Sequence, residues 1–444
     1  MTQNFMALGL GAGEFYGVHP GAWRSEGVDP KAYLDIQAQI TYAQQAESGG
    51  FDFLFMQDRV FLHQGFPTAA SMFPLDPLVQ LSAIAAATSK IGLIGSASTS
   101  FSEPYTLARQ FRALDLISKG RAGWNVVPSF EPEAFANHGR PVPAKAEKYE
   151  RLNEVVQISQ ALWGSWKPEA GDPDPVTGIF MNDEHIQPIN MQGRHVGSRG
   201  PLQIPPSPQG QPVLVMPAAS RSGIQPAGMY AGGIIAMPST IEEGRQQREL
   251  FRTAAEQAGR NADEVKLMSF FTFGLGATRR EALDRRRELE RYTDLPQRLN
   301  QLSILLGIPL TEAQADTPLS LTQVHQLRVH PRAPRSAQAV ALAKEGFSPL
   351  DIIAHGVLDM SPGVVGTAED AADYLQEWFE AGATDGAVLV ADRLSDNLGD
   401  FVEQVVPILR KRGLRPDDYV GSTLRENLGL PYELGIDPRI IGRQ

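Results

Sequence analysis

A TIM (β/α)8 barrel with long insertions and a C-terminal extension is the fold this sequence predicts, on three observations. Short, almost wholly apolar runs alternate eight times with longer segments of helical period, as expected of strands buried on both faces and covered by helices. The 444 residues exceed a minimal barrel, but barrels carry insertions of this size within one domain, so a single domain over 1–444 is expected. Two stretches, 167–211 and 293–362, interrupt the alternation without founding a second one. An open, doubly wound sheet would show the same alternation, and pattern alone leaves that alternative standing.

The strands are read at 6–10, 51–56 (FDFLFM), 91–97 (IGLIGSA), 122–127 (AGWNVV), 213–216, 233–237, 266–274 and 386–391 (GAVLVA), each bounded by Gly, Pro or polar residues. Helical period occupies 31–49, 77–89, 104–118, 145–164, 220–231, 240–259, 279–292 and 400–412. Residues 167–211 are rich in Pro, Gly, Asp and Gln and lack a helical period. Residues 293–362 combine scattered helical pattern with a basic segment, Arg328, His330, Arg332 and Arg335. Insertions this long are usually functional loops or lids, and a solvated lid is the default for the basic segment. Residues 413–444 read as an extended tail packed on the barrel or on a partner.

Composition removes several function classes. Charged residues are interspersed and the net charge is −11, so no basic stripe offers itself to nucleic acid. The absence of cysteine excludes disulfides, thiolate metal sites, iron–sulfur clusters and a Cys nucleophile. No basic leader or apolar run of membrane-spanning length is present, so a cytoplasmic protein without membrane association is expected. The eight histidines form no metal-ligand spacing, and no GxSxG elbow occurs. At the N-terminus GLGAGEF gives Gly9, Gly11 and Gly13, but the sixth position of a dinucleotide fingerprint is Glu14.

What remains is polar residues at the C-terminal ends of strands, where barrel active sites form. Asp58 follows the second run, Ser98, Thr99 and Ser100 the third, and Asn125 lies in the fourth with Ser129 just beyond. Ser220 follows the fifth, where the ordinary role of a serine is a helix N-cap. Together these ends suit a ligand with a polar ring edge and a phosphate resting on helix N–H groups.

The run ASTSFSEPYTLARQFRALDLISKGRAGWNVVPS, residues 97–129, resembles the hallmark segment of the bacterial luciferase-like flavin monooxygenases. The resemblance points to the subgroup of nitrilotriacetate, dibenzothiophene-sulfone and long-chain alkane monooxygenases. It extends through HPGAWR at 19–24, FDFLFMQD at 51–58, EKYERLNE at 147–154, LWGSW at 162–166, GPLQIPPSPQGQPV at 200–213 and GDFVEQVVPILRKRGL at 399–414. It implies the barrel, and FMN used as FMNH2 supplied by a separate flavin reductase. It also implies O2 and a small organic substrate as co-reactants, and a homodimer or homotetramer.

Carried over by position, Asp58 would lie beside the flavin ring, and Ser98, Thr99 and Asn125 along its polar edge and oxygen-reactive face. Tyr149 and Ser220 would reach the phosphate, with Lys145 where the family usually has His. Further departures are Met216, Pro217 and Ala218 ahead of Ser220, and Pro128 where a hydroxyl residue is common. For substrate chemistry the resemblance and residue type point to Asn125, His63 and His19, with His138 a weaker candidate. Two rival readings are an F420-dependent hydride-transfer oxidoreductase of the same fold and a non-catalytic flavin-binding protein.

Overall fold

The computed structural model describes residues 5–13, 15–62, 70, 73–218 and 221–440. Eight parallel strands close into a barrel: β1 Ala7–Ala12, β2 Phe53–Met56, β3 Gly92–Ser98, β4 Ala122–Val127, β5 Val213–Pro217, β6 Gly233–Ala236, β7 Lys266–Leu275 and β8 Gly386–Ala391. Each pairs with its neighbour in chain order, and β8 returns to β1 in the register Ala7↔Gly386. That closure decides between the barrel and the open sheet. All eight strands fall on the apolar runs of the sequence.

The period-two alternation of each strand divides its side chains between lumen and helix layer. Phe53, Phe55, Ile94, Val215, Met268 and Phe270 pack inside the barrel. Leu8, Leu54, Leu93, Phe271 and Leu389 face outward beneath helices. Gly9 faces the lumen because the Phe53 ring lies across it: a Cβ there would stand 2.3 Å from a ring carbon. Gly9 and Gly11 therefore serve strand packing in β1, while Gly13 lies just past the strand with φ 95°.

The helices of the barrel are α1 Ile36–Ser48, α2 Pro77–Ala87, α3 Pro104–Ile117, α4 Lys145–Trp163, α5 Ile224–Tyr230, α6 Ile241–Gln257, α7 Arg279–Glu290 and α8 Ala368–Glu380. After β8, the run Leu394–Asp400 continues through a π-helical turn, Phe401–Val405, into Val406–Lys411. The sequence pattern misses α8, which Thr367 and Asp370 start with a reciprocal capping box.

The insertion after α7 is more ordered than its pattern suggests. Helices Leu295–Leu306, Leu321–Gln326, Ser336–Lys344 and Pro349–Ile352 enclose their own apolar cluster, including Leu299, Leu302, Leu306, Val340 and Ile352. It ends in a short strand, Gly363–Gly366, paired with the C-terminal half of β7. Residues 167–211 carry short turns and a two-residue hairpin, anchored by Glu154 of α4, whose carboxylate accepts the backbone N–H groups of Arg194, His195 and Val196.

The tail packs on its own barrel. Leu424, Leu428 and Leu430 join the lumenal cluster at the N-terminal end of the strands. The Leu424 N–H donates to the Gly120 carbonyl at 3.0 Å, and Arg425 donates to the Gln211 and Pro212 carbonyls while pairing with Glu433. The barrel floor is thus plugged, and the C-terminal rim is left for chemistry. Among the described residues no helix is long and apolar enough to cross a membrane.

Candidate functional site

Strand register places the polar ends of β3 and β4 side by side, Ser96 opposite Asn125 and Ser98 opposite Val127. Asn125 is buried, and its Nδ2 donates to the Ser96 hydroxyl at 2.7 Å. Its Oδ1 is also buried and has no hydrogen-bond donor among the described residues. A buried amide oxygen without a donor costs free energy unless a water or a ligand N–H or O–H meets it, and this one lies at the barrel rim. The Ser98 hydroxyl lies 2.9 Å from that of Ser129 and accepts the Ser100 N–H at 3.1 Å. The Thr99 hydroxyl turns to the Val127 carbonyl at 3.4 Å, so its donor is engaged within the protein. Arg151 of α4 fixes this loop by donating to the carbonyls of Thr99 and Ser102, and Arg140 donates to that of Ser100.

Asp58 stands just past the end of β2. Burial pushes its carboxyl up to about 6, with the nearby Asp76 charge adding to the rise and His138 opposing it. The His138 ring lies flat on Phe101, centroids 3.9 Å apart, and its Nδ1–H donates to the Ala134 carbonyl. His63 lies outside the described residues.

Between the ends of β4 and β5, α4 and the start of α5 lies a cleft of about 370 Å³. Val127, Pro128, Met216 and Pro217 form apolar walls, with Lys145, Lys148 and Tyr149 along one side. The three share a side of α4 because residues three and four apart lie on one helical face. Neither lysine has an ion-pair partner among the described residues. Sequence reasoning missed Lys148, although its spacing from Lys145 carried the signal, and Ser96, which period two places beside Ser98. Ser220 lies outside the described residues; Pro217 and Gly223, on either side of it in the chain, both line the cleft.

His19 has a different setting. It sits above β8, its N–H donating to the Asp392 carbonyl, and its ring is buried. Nδ1 accepts the Gly21 N–H at 3.0 Å, so the ring proton is on Nε2, which donates to Glu290 at 3.0 Å. Glu290 also receives Arg298 and the Thr293 hydroxyl. Burial would raise the Glu290 carboxyl, but the hydrogen bond from His19 and the Arg298 guanidinium outweigh it and hold it at about 2. Both nitrogens of His19 are thereby occupied in a latch between the N-terminal loop and α7. The structure brings together Ser98 and Asn125 at one place and Lys145 and Tyr149 at another, and ties His19 into this separate network.

The residues present fit a flavin mononucleotide. The apolar cleft with cationic groups along one side suits a flat ring system bearing a phosphate, and the orphaned Asn125 oxygen suits a polar ring edge. Fold and rim together define the class: an α/β barrel with a cleft at the C-terminal ends of its strands into which a phosphorylated ring fits. The chain belongs to the luciferase-like monooxygenase family, whose model matches residues 14–385. It is 31% identical over 431 residues to nitrilotriacetate monooxygenase component A of Aminobacter aminovorans, covering 93% of this chain and 94% of that protein. The structure is similar to EDTA monooxygenase from Chelativorans sp. BNC1, with a TM-score of 0.81, 34% identity, and coverage of 96% of this chain and 99% of that one. It is also similar to riboflavin lyase solved with modified FMN and riboflavin, with a TM-score of 0.79, 28% identity, and 99% of each chain covered.

Proposed function

We propose that this chain is a two-component monooxygenase that receives FMNH2 from a separate flavin reductase and uses O2 to oxidise a small organic substrate. The observation that carries the reading is the buried, unpartnered Asn125 oxygen at a barrel rim beside a lysine-bearing cleft. Family membership and the relatives' names support it. When bound, the reduced flavin supplies the electrons for oxygen activation and the site of oxygen transfer.

The protein's own groups position and shield. Lys145, Lys148, Tyr149 and Ser220 hold the phosphate, the lysines as point charges. Asn125 accepts from the polar ring edge through Oδ1, while its bond to Ser96 fixes the amide plane. Ser98 offers a hydroxyl along the same edge, and Thr99 contributes backbone shape. Asp58, with its carboxyl near 6, takes or gives a proton close to neutral pH beside the ring. The plugged floor keeps water from the lumen side, which strengthens every hydrogen bond at the rim. His63 is proposed to orient substrate, and His19 to hold the rim in shape. The protein acts in the cytoplasm as a homodimer or homotetramer.

The test is anaerobic titration of the full chain with FMNH2, followed by admission of O2 in a stopped-flow cell. Reoxidation of bound flavin slower than that of free FMNH2, with oxygen transferred to substrate, supports the proposal. Tight FMN binding with no change in reoxidation would make this a flavin-binding protein, a reading that the substituted positions Lys145 and Pro217 would then explain. Failure to bind FMNH2 together with binding of F420 would make it a hydride-transfer enzyme.

A further inference from the structure

The basic segment of the insertion does not behave as one patch. Arg328 and Arg332 are exposed, whereas Arg335 turns partly inward. Its Nη1 donates to the carbonyls of Gly356, at 3.1 Å, and Asp359. Among the described residues it forms no ion pair: the Asp359 carboxylate, bonded to Arg286 at 2.8 Å, acts on it only through space. A partly desolvated guanidinium whose hydrogen bonds among the described residues go to carbonyls keeps N–H donors open to a ligand.

Arg335 borders a cavity of about 140 Å³ between the insertion, the start of α6 and the strand Gly363–Gly366. Ser239, Gln338, His355, Tyr374 and Asp359, the last with its carboxylate bonded to Arg286, share its walls. His355 donates from Nδ1 to the Asp351 carbonyl at 2.7 Å, and its Nε2 has no hydrogen-bond partner among the described residues. Both His355 and the Gly356 carbonyl are delivered by a kinked turn, Ile353–Val357, in which Gly356 adopts φ 81°. A Cβ at Gly356 would also stand 2.7 Å from the Asp359 carboxylate, so the turn depends on glycine. The cavity shares no lining residue with the lysine cleft and is too small for a flavin.

We propose that this cavity binds a compact oxyanion, a carboxylate or phosphate group, on the Arg335 guanidinium with Gln338 and His355 beside it. Its source is either the carboxylate of an organic ligand or a free phosphate ion. The site stands independently of the flavin reading, since it uses none of the same residues.

Isothermal titration of the full chain with succinate and, separately, with inorganic phosphate tests it, alongside Arg335→Gln and Gln338→Glu variants whose folding is checked by circular dichroism. Saturable binding of one equivalent by the unaltered chain is expected, weakened by a factor of about 10 or more in R335Q, as befits loss of a charge-assisted bond. Q338E leaves the carbonyl bonds of Arg335 intact and places a carboxylate at the cavity, so it should weaken binding even if R335Q does not fold. Binding of succinate identifies a carboxylate ligand, and binding of phosphate alone identifies the free ion. No saturable binding of either probe, or unchanged binding in the folded variants, overturns the proposal.

Discussion

Replacing Asn125 with alanine separates scaffold from chemistry, because its two amide atoms do different things. Nδ2 bonds Ser96 at 2.7 Å; losing that bond lowers stability by about 1 kcal/mol, and the variant should fold. Oδ1 is buried with no partner among the described residues, so its removal should be felt mainly when the cofactor is present. In the resting complex the loss is one ordinary hydrogen bond, about 1 kcal/mol, or roughly a fivefold rise in the FMNH2 dissociation constant. If the same oxygen faces the edge where charge shifts during oxygen transfer, the turnover loss is that of a preorganised polar group, about 100-fold, or roughly 2.7 kcal/mol. Anaerobic fluorescence titration gives the first quantity and single-turnover oxidation of pre-bound FMNH2 the second. Equal losses in both, or a turnover within a factor of about 2 of the unaltered chain, would refute the reasoning and leave Asn125 as scaffold.

Three further outcomes follow from the same geometry. Lys145→Ala and Lys148→Ala should each weaken FMNH2 binding by about 1.5–3 kcal/mol and flatten its salt dependence, measured by titration at several ionic strengths; unchanged binding would move the phosphate elsewhere. Glu290 has its folded pKa lowered from 4.5 to about 2. Its contribution is therefore complete above about pH 4.5 and disappears as pH falls towards 2, on the order of 3 kcal/mol in all; Glu290→Gln should remove that acid limb from the stability profile in urea melts. Leu424→Ala, which empties part of the barrel floor, should lower unfolding free energy by about 2–5 kcal/mol in denaturant melts; an effect below about 1 kcal/mol would show that the tail does not plug the barrel.

The barrel was readable because strands buried on both faces must be short and apolar, and the eight runs are nothing else. The α8 helix was not, although Thr367 and Asp370 announce its start. The α7 segment already supplied a crossover between β7 and β8, so alternation asked for no second helix. In the insertion, Pro318, Pro331, Pro334 and Pro349 cut the helices too short for a clean period. Among site residues, Lys145 and Tyr149 converge because one helix carries both, and Ser98 and Asn125 because their strands are neighbours. His19 was placed by residue type and family position alone. Its partner Glu290 lies 271 residues away, and no local pattern could show that both ring nitrogens are engaged. Arg335 was visible only as one charge in a basic run; its separation from Arg328 and Arg332 depends on the kink at Gly356, which spacing does not reveal.

The most direct measurement is a crystal structure of the full chain grown with FMN. It should show the phosphate against Lys145, Lys148 and Tyr149, and a polar edge of the ring within hydrogen-bond distance of Asn125 Oδ1. Flavin bound elsewhere, or a cleft that stays empty while Asn125 finds a partner within the protein, would contradict the account.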